Sequence, residues 1–152
     1  MQRKTFTTKI LNKEILSADM VCFTVAKPKK YNYIAGQFTQ FYIPDATSEK
    51  KEVVRSYSLA STPNDKDLKF YIKLVPNGKA GGYLKKIKTG EDLKIGEAMG
   101  KFINTDPINP LYFIATGVGI SPIIGIIQDE LNNKKTTQPL CLLFGVRFEN
   151  DI

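Results

Sequence analysis

The feature that most constrains the fold is a change in the distribution of apolar residues at positions 106–110. Before this point, apolar residues form short segments that alternate with polar ones, and turn-forming residues separate the segments. Such spacing predicts short antiparallel strands in a barrel or sandwich. After it, two continuous apolar runs at 111–115 and 140–146 flank a segment with helical spacing at 123–131. Continuous apolar runs are typical of buried parallel strands, so the second part predicts one βαβ unit.

The first part contains six candidate strands and one short helix. We predict strands at 4–11, 20–26, 37–43, 52–59 and 68–75, a helix from about 81 to 87, a strand that starts at 93–95, and an end to this region at Phe102. Alternation in the third strand places Phe38, Gln40 and Tyr42 on one face and Thr39, Phe41 and Ile43 on the other. Two prolines in the stretch 106–110 indicate a linker, which predicts domains at 1–104 and 105–152.

The residue types exclude several kinds of chemistry. The chain has no histidine, which removes the commonest general base, the usual zinc ligand and any Ser-His-Asp triad. We expect no metal site. Cys22 and Cys141 are too few for the four thiolates of a plant-type iron–sulfur cluster, and reduced thiols are the favoured interpretation. An enzyme of this composition is therefore expected to use an organic cofactor.

Hydropathy and charge suggest the cellular location of the protein and the kind of partner that it binds. No apolar run reaches about 18 residues and the N-terminus lacks a signal-peptide core, so we expect no membrane span and a cytoplasmic location. The net charge is +7, with 19 basic against 10 acidic residues up to position 101 and 3 against 5 afterwards. This asymmetry predicts an acidic partner for the first part, or else a solvated lysine-rich surface. The lysines are spread among turns and one helix, which argues against nucleic acid.

The segment Arg55-Ser56-Tyr57-Ser58 combines a guanidinium, a phenol and hydroxyls at the end of a predicted strand. Side chains at 55 and 57 share one strand face. Arg can pair with a phosphate through a fork of donors, and Tyr can lie against an aromatic ring. The motif therefore favours a flat anionic ligand, although an ordinary strand with cross-strand contacts also fits four such residues.

Glycine-rich segments accompany this motif. The sequence has Gly36-Gln37-Phe38 before it, Gly78-Lys79-Ala80-Gly81-Gly82 after it, and Thr116-Gly117-Val118-Gly119-Ile120-Ser121-Pro122 between the first apolar run and the last predicted helix. Amides exposed at a helix start bind anions, so the second segment is a candidate diphosphate site or else a flexible turn. The third has the strand-to-helix context of a nucleotide-binding loop, with Pro122 in the first helical turn and Ser121 as a candidate cap.

In this order and spacing, the motifs resemble the ferredoxin–NADP reductase family over about Lys4–Arg147. The resemblance implies a six-stranded antiparallel Greek-key barrel that binds flavin, the FAD-binding FR-type domain, at 1–104. It implies the start of a Rossmann-like nucleotide-binding domain, a βαβ unit, at 105–152. Short bacterial ferredoxin/flavodoxin reductases and reductase components of oxygenases are the most similar members.

The resemblance also implies roles for individual residues. Arg55 is expected to hold the flavin's phosphate chain, Tyr57 to pack on the isoalloxazine ring, and Ser58 to hydrogen-bond the ring, which makes Tyr57 and Ser58 the expected catalytic residues. The other implied cofactor-binding residues are Ser56, Tyr71, Lys73, Leu74, Val75, Gly81, Gly82 and Tyr83 for FAD, and Thr116, Gly117, Gly119 and Pro122 for the nucleotide. FAD is favoured over FMN, with NAD(P)H as co-substrate. Gly36 is expected in a turn and Phe38 in the core, and Arg147 either meets the nucleotide or faces solvent.

The implied function is electron transfer from NAD(P)H through FAD to a ferredoxin, a flavodoxin or an oxygenase component. Two alternatives are a flavin or ferric reductase with a small-molecule acceptor, and a non-catalytic flavin-binding fragment or regulatory domain. The chain departs from the family pattern in carrying glycines at 81 and 82 instead of hydroxyl residues, and in holding only the first strand, helix and second strand of the nucleotide domain. From the resemblance we expect the chain to be an excised fragment, a natural short form or half of a split protein. We expect its apolar strands to be partly exposed, which favours self-association or a missing partner segment.

Overall fold

The structure, a computed structural model, describes residues 4–47, 49, 51–106 and 108–146. The strands are β1 (Thr5–Ile15), β2 (Met20–Ala26), β3 (Phe38–Pro44), β4 (Glu52–Ser58), β5 (Asp67–Lys73), β6 (Asp92–Gly96), β7 (Leu111–Thr116) and β8 (Leu140–Gly145). The helices are α1 (Lys79–Lys86) and α2 (Ile120–Gln128), and α2 is preceded by a 3-10 turn at 117–119 and followed by a π-helical turn at 129–133. Each predicted strand and helix is present, although β1 extends to Ile15 and α2 begins three residues before the predicted position.

The first six strands form one antiparallel sheet in the order β4-β3-β6-β1-β2-β5. The sheet curls until its two edge strands approach each other. Just beyond β4, the amide of Ala60 donates a 2.8 Å hydrogen bond to the carbonyl of Lys69 in β5. The last two strands, β7 and β8, are parallel and are connected through α2. The predicted fold class, an antiparallel barrel followed by the start of a Rossmann-like domain, is confirmed.

Large aromatic side chains fill the inside of the curled sheet. Phe23, Phe41 and Phe70 are fully buried, and the rings of Phe41 and Phe70 meet edge to face at 4.9 Å. Burying one such side chain stabilises the fold by about 1.5–3 kcal/mol. The expectation that Phe38 belongs to this core is wrong. Phe38 lies half-buried on the outer face of β3 beside Gly100, because alternation defines two faces of a strand without saying which of them points inward.

The connection between the two parts is held by polar contacts. The side-chain amide of Asn104 donates to the buried carboxylate of Glu130 at 2.8 Å, which ties the connecting segment to the turn after α2. Asp106 accepts hydrogen bonds from the amides of Ile108 and Asn109, so this stretch forms a turn. The domain boundary at 104 stays a prediction.

None of the helices formed by the described residues has the length and apolar character that a membrane crossing requires. Within the same residues, no group of three or more Cys, Asp or Glu side chains is placed to hold a metal ion. Cys22 and Cys141 are both free thiols.

Candidate cofactor-binding site

Arg55 and Tyr57 lie side by side on the inner face of β4, as strand alternation predicts. In the register between β3 and β4, Arg55 pairs with Phe41 and Tyr57 with Thr39. The half-buried Tyr57 ring packs against Phe41, with ring centres 4.6 Å apart. The Arg55 side chain is exposed, and its Nη1 donates a 2.9 Å hydrogen bond to the carbonyl of Val54. Because a guanidinium has five N–H donors, this bond leaves most of them for an external anion.

The Tyr57 ring offers a neutral surface to a ligand. Burial raises the pKa of its hydroxyl above the ordinary value for tyrosine, and the positive charge of Arg55 opposes that shift. The phenol therefore stays protonated at neutral pH. Ser56 and Ser58 point to the opposite face of the strand, where they pair with Gln40 and Phe38. A ligand that contacts both Tyr57 and Ser58 must therefore lie across the end of β4.

Helix α1 is in contact with β4. Its N-cap is Gly78, which has no side-chain acceptor, so among the residues that the structure describes no side chain caps the first amides of the helix. A methyl group placed at Gly82 would meet no atom within 4 Å. Open space at this position lets a phosphate group come close to the helix backbone. Tyr83 follows on the same helix and packs against the barrel core.

The predicted start of this helix near Gly81 is wrong by two residues. α1 begins at Lys79 and not near Gly81, so Gly81 and Gly82 lie within its first turns. A methyl group at Gly81 would lie 2.7 Å from the carbonyl oxygen of Val75. Gly81 is therefore required for packing against the chain after β5, and only Gly82 faces open space.

The end of β5 is fixed by contacts on several sides. The amine of Lys73 forms a 2.9 Å ion pair with Asp19, and the amide of Leu74 donates to the carbonyl of Asp19 at 2.7 Å. Leu74 packs against the barrel core, whereas the Val75 side chain is mostly exposed. Tyr71 is half-buried. The contact between Gly81 and Val75 brings this strand end next to α1.

The glycine loop at 116–119 is exposed and leads directly into α2. Gly117 has a φ of +51°, which favours glycine, and methyl groups at Gly117 or Gly119 would meet no atom within 4 Å. At the base of the loop, Thr116 pairs with Gly145 of β8. Pro122 lies in the first turn of α2, as predicted. The loop therefore offers accessible backbone at a helix N-terminus. Arg147, a further candidate to contact the nucleotide, lies outside the described residues.

Ser121 has a different role from the predicted one. It is not the cap of α2, because the N-cap position is Gly119. The buried Ser121 hydroxyl instead donates a 3.2 Å hydrogen bond to the carbonyl of Tyr71 in β5. This bond brings the start of α2, and with it the glycine loop, next to β5. Sequence reasoning also missed Gly125, an isolated glycine among isoleucines in α2, whose only signal was that glycine is unfavourable inside a helix.

Two family models match the chain. The model of the oxidoreductase FAD-binding domain covers residues 7–103, and the model of the oxidoreductase NAD-binding domain covers residues 113–152. The first match alone spans more than half of the chain and includes the motif at 55–58.

Curated relatives agree with these matches. The chain is 33% identical over 127 residues to a flavodoxin/ferredoxin–NADP reductase of Buchnera aphidicola, covering 78% of this chain and 49% of that protein. It is 32% identical over 126 residues to the electron transfer component of an anthranilate 1,2-dioxygenase from Acinetobacter baylyi, covering 82% of this chain and 35% of that one. The chain thus spans about half or less of the length of these relatives.

Solved structures match nearly the whole chain. A ferredoxin–NADP+ reductase from Plasmodium falciparum superposes with a TM-score of 0.83 at 26% identity, over 97% of this chain and 61% of that one. A ferredoxin NADP+ reductase from Neisseria gonorrhoeae has a TM-score of 0.84 over 99% of this chain and 61% of that one. At 21% identity, the second match supports the fold alone.

Proposed function

Because the chain belongs to the ferredoxin–NADP reductase family, we propose that it is the flavin-binding part of an oxidoreductase that moves electrons from NAD(P)H through FAD to a protein acceptor. The observation that carries the proposal is the position of Arg55 and Tyr57 together on one face of β4, a strand that α1 contacts. The flavin-binding part corresponds to 1–104 and the start of the nucleotide-binding part to 105–152.

The residues at the proposed site fit FAD better than a ligand without phosphates. The Arg55 guanidinium is exposed and has unused donors, the first amides of α1 have no side-chain cap, and there is open space beside Gly82 in the same turn. Both features suit a diphosphate. The half-buried ring of Tyr57 suits one face of the flavin ring system, and the Ser58 hydroxyl at the strand end suits its edge. In this arrangement Tyr57 and Ser58 orient the ring, while Ser56 and the backbone of Tyr71, Lys73, Leu74 and Val75 line its surroundings.

Bound flavin supplies the conversion between two-electron donors and one-electron acceptors, and the protein contributes binding and orientation. The exposed glycine loop, with Thr116, Gly117, Gly119 and Pro122, offers backbone amides to the diphosphate of the nucleotide donor. The hydrogen bond from Ser121 to Tyr71 keeps this loop next to the barrel. Nucleotide and flavin would therefore bind on adjacent surfaces of the protein.

We propose that the acceptor is an acidic electron-transfer protein, such as a ferredoxin, a flavodoxin or an oxygenase component. The support for this assignment is the excess of basic residues before position 102. We place the reaction in the cytoplasm, since the two free thiols are typical of a reducing compartment. The competing assignment is a small-molecule acceptor such as free flavin or ferric iron.

The first experiment measures flavin uptake. The purified chain is incubated with excess FAD or FMN, passed through a desalting column and examined by visible absorbance. We expect retained yellow colour with FAD, and we expect Tyr57→Ser to weaken retention and shift the absorbance band, whereas Tyr57→Phe preserves both. A wild-type chain that stays colourless with both flavins would overturn the proposed function.

The acceptor is tested separately with the flavin-loaded chain after chemical reduction of the flavin. Steering between a basic and an acidic protein weakens as ionic strength rises, because salt screens exposed charges. Reoxidation by ferredoxin or flavodoxin should therefore slow between low and moderate salt, while reoxidation by an uncharged quinone serves as the small-molecule control. A rate with ferredoxin that does not respond to salt would favour the small-molecule assignment.

A further inference from the structure

Helix α2 lies directly against the chain that follows the flavin motif. A methyl group placed at Gly125 would lie 3.0 Å from the carbonyl oxygen of Leu59 and 3.1 Å from that of Ser61. Both oxygens belong to buried residues, so they have little freedom to withdraw. The helix backbone therefore rests on the backbone of residues 59–61 without a side chain between them, and a Cβ at this position would require one of these segments to shift by a few tenths of an ångström.

A second contact joins the start of α2 to β5. Ser121 is 1% exposed, and its hydroxyl donates to the carbonyl oxygen of Tyr71 at 3.2 Å. Because a buried hydroxyl without a partner is costly, this bond defines a preferred position for the first turn of the helix. Ser121 comes two residues after Gly119, so the same turn carries the glycine loop.

A third contact joins the turn at Gly36 to Phe102 and to Ile126 of α2. A methyl group at Gly36 would fall 2.0 Å from the carbonyl oxygen of Phe102 and 2.8 Å from Cδ1 of Ile126. Gly36 also has a φ of +95°, which disfavours any other residue. The turn before β3 therefore fits closely between the connecting segment and α2.

We propose that Gly125 and Ser121 are positioning residues that fix the glycine loop relative to Tyr57 and Ser58. Leu59 follows Ser58 directly along the chain, and Gly119 is the N-cap of α2, so the contact at Gly125 connects the two cofactor surfaces through one rigid helix. The importance of this spacing rests on the proposed function, because hydride transfer requires the two cofactors to be closely oriented. The contact itself does not depend on flavin and can be tested without it.

The first measurement is the midpoint of thermal unfolding, Tm, for Gly125→Ala. Alanine is more favourable than glycine inside a helix, so an unobstructed site would raise Tm by about 2–4 °C. The obstructing carbonyl oxygens lead us to expect a decrease of about 2–6 °C instead. Gln128→Ala, at an exposed position of the same helix, is the matched control and should change Tm little.

The second measurement is the distance between α2 and the barrel. Nitroxide labels are attached at Lys66→Cys and Gln128→Cys, both exposed positions, in a background with Cys22→Ala and Cys141→Ala. Pulsed EPR then compares this protein with its Gly125→Leu and Ser121→Ala variants. We expect Gly125→Leu to shift the main distance by about 2 Å or to broaden it, because a packed contact leaves no gap for a side chain. Ser121→Ala should broaden it less.

FAD affinity is measured in parallel, and for Gly125→Ala it should stay within about twofold of the wild type because this residue does not touch the flavin surface. A higher Tm for Gly125→Ala would overturn the proposal, as would an unchanged distance distribution in folded Gly125→Leu. If Gly125→Leu does not fold, the Tm of Gly125→Ala alone tests the proposal: a decrease supports it and an increase overturns it. Absence of flavin binding in every variant would count against the proposed function alone, since Tm and the label distance do not require flavin.

Discussion

At the scale of single residues, the candidate site depends on two side chains that strand geometry places together. Residues two positions apart on a strand share a face, so the sequence alone predicts that Arg55 and Tyr57 are neighbours. The structure adds their different surroundings. Tyr57 packs on Phe41, whereas Arg55 is exposed with most of its donors available. One residue therefore suits ring stacking and the other suits phosphate binding.

We predict that Arg55→Ala weakens FAD binding by about 10- to 100-fold, the loss expected for a hydrogen-bonded charge pair. Riboflavin, which has no phosphate, should bind the variant as well as it binds the wild type. Quenching of flavin fluorescence measures both affinities. Lys66→Ala, another exposed cation, is the control and should affect neither ligand. An equal loss for FAD and riboflavin would mean that Arg55 acts through the strand and not through a phosphate.

The limits of sequence reasoning at this scale concern partners that are distant in the chain. Alternation in β3 gave two correct faces, yet it could not decide which face was inward, and Phe38 was misplaced for that reason. Ser121 matched the pattern of a helix cap, but its partner Tyr71 lies 50 residues away in sequence. No local pattern contains that information. The same holds for the contact between Gly125 and the carbonyl oxygens at 59 and 61.

At the scale of elements, α1 is held in place by an ion pair from another part of the chain. The Lys79 amine lies 2.8 Å from the Asp45 carboxylate, and Thr47 donates to the same carboxylate from its hydroxyl and its amide. This anchor explains why α1 begins at Lys79, two residues before the start predicted from the glycines. The local sequence argues against a helix at the glycines, because glycine has a low helix propensity. The ion pair between Lys79 and Asp45 is a tertiary contact, which the local sequence does not show.

The ion pair between Lys79 and Asp45 should make part of the stability of the fold depend on pH. The hydrogen bond from Lys79, followed by those from Thr47, lowers the pKa of Asp45 from 3.8 to about 2. A carboxyl whose pKa is lower in the folded state stabilises the fold above its unfolded pKa, and this contribution disappears as pH falls through the folded pKa. We therefore predict that Asp45→Asn lowers Tm at pH 6, and that the difference from wild type shrinks between pH 4 and pH 2.

Thermal unfolding followed by circular dichroism across this pH range measures the effect. Asp92→Asn is the comparison variant, because the ion pair between Asp92 and Lys9 is on the exposed surface and should contribute little. A constant difference in Tm between Asp45→Asn and wild type from pH 6 to pH 2 would show that the carboxylate charge does not contribute to the anchor.

At the scale of the whole molecule, the two parts differ in how completely their sheets are covered. The curled sheet encloses its own core, whereas α2 packs against β7. On one face of the β7–β8 pair, Tyr112, Ile114 and Leu143 are 75%, 76% and 58% exposed. The expectation of partly exposed apolar strands is therefore confirmed. Parallel sheets usually have cover on both faces, and one βαβ unit can cover only one, which is why the exposure could be predicted from the sequence.

The last prediction concerns hydride transfer by these 152 residues alone. The described part of the proposed nucleotide surface consists of the glycine loop, α2 and two strands, and we expect these elements to bind a diphosphate but to leave the nicotinamide weakly oriented. Since small errors in orientation cost about 100-fold in rate, we expect NADH and NADPH to bleach the FAD-loaded chain at least about 100-fold more slowly than a full-length relative. Anaerobic stopped-flow absorbance measures the rate, and light scattering establishes the association state, because the open face favours self-association. Rapid bleaching by either nucleotide, from a protein that scatters as a monomer, would show that the elements described here suffice for the complete reaction.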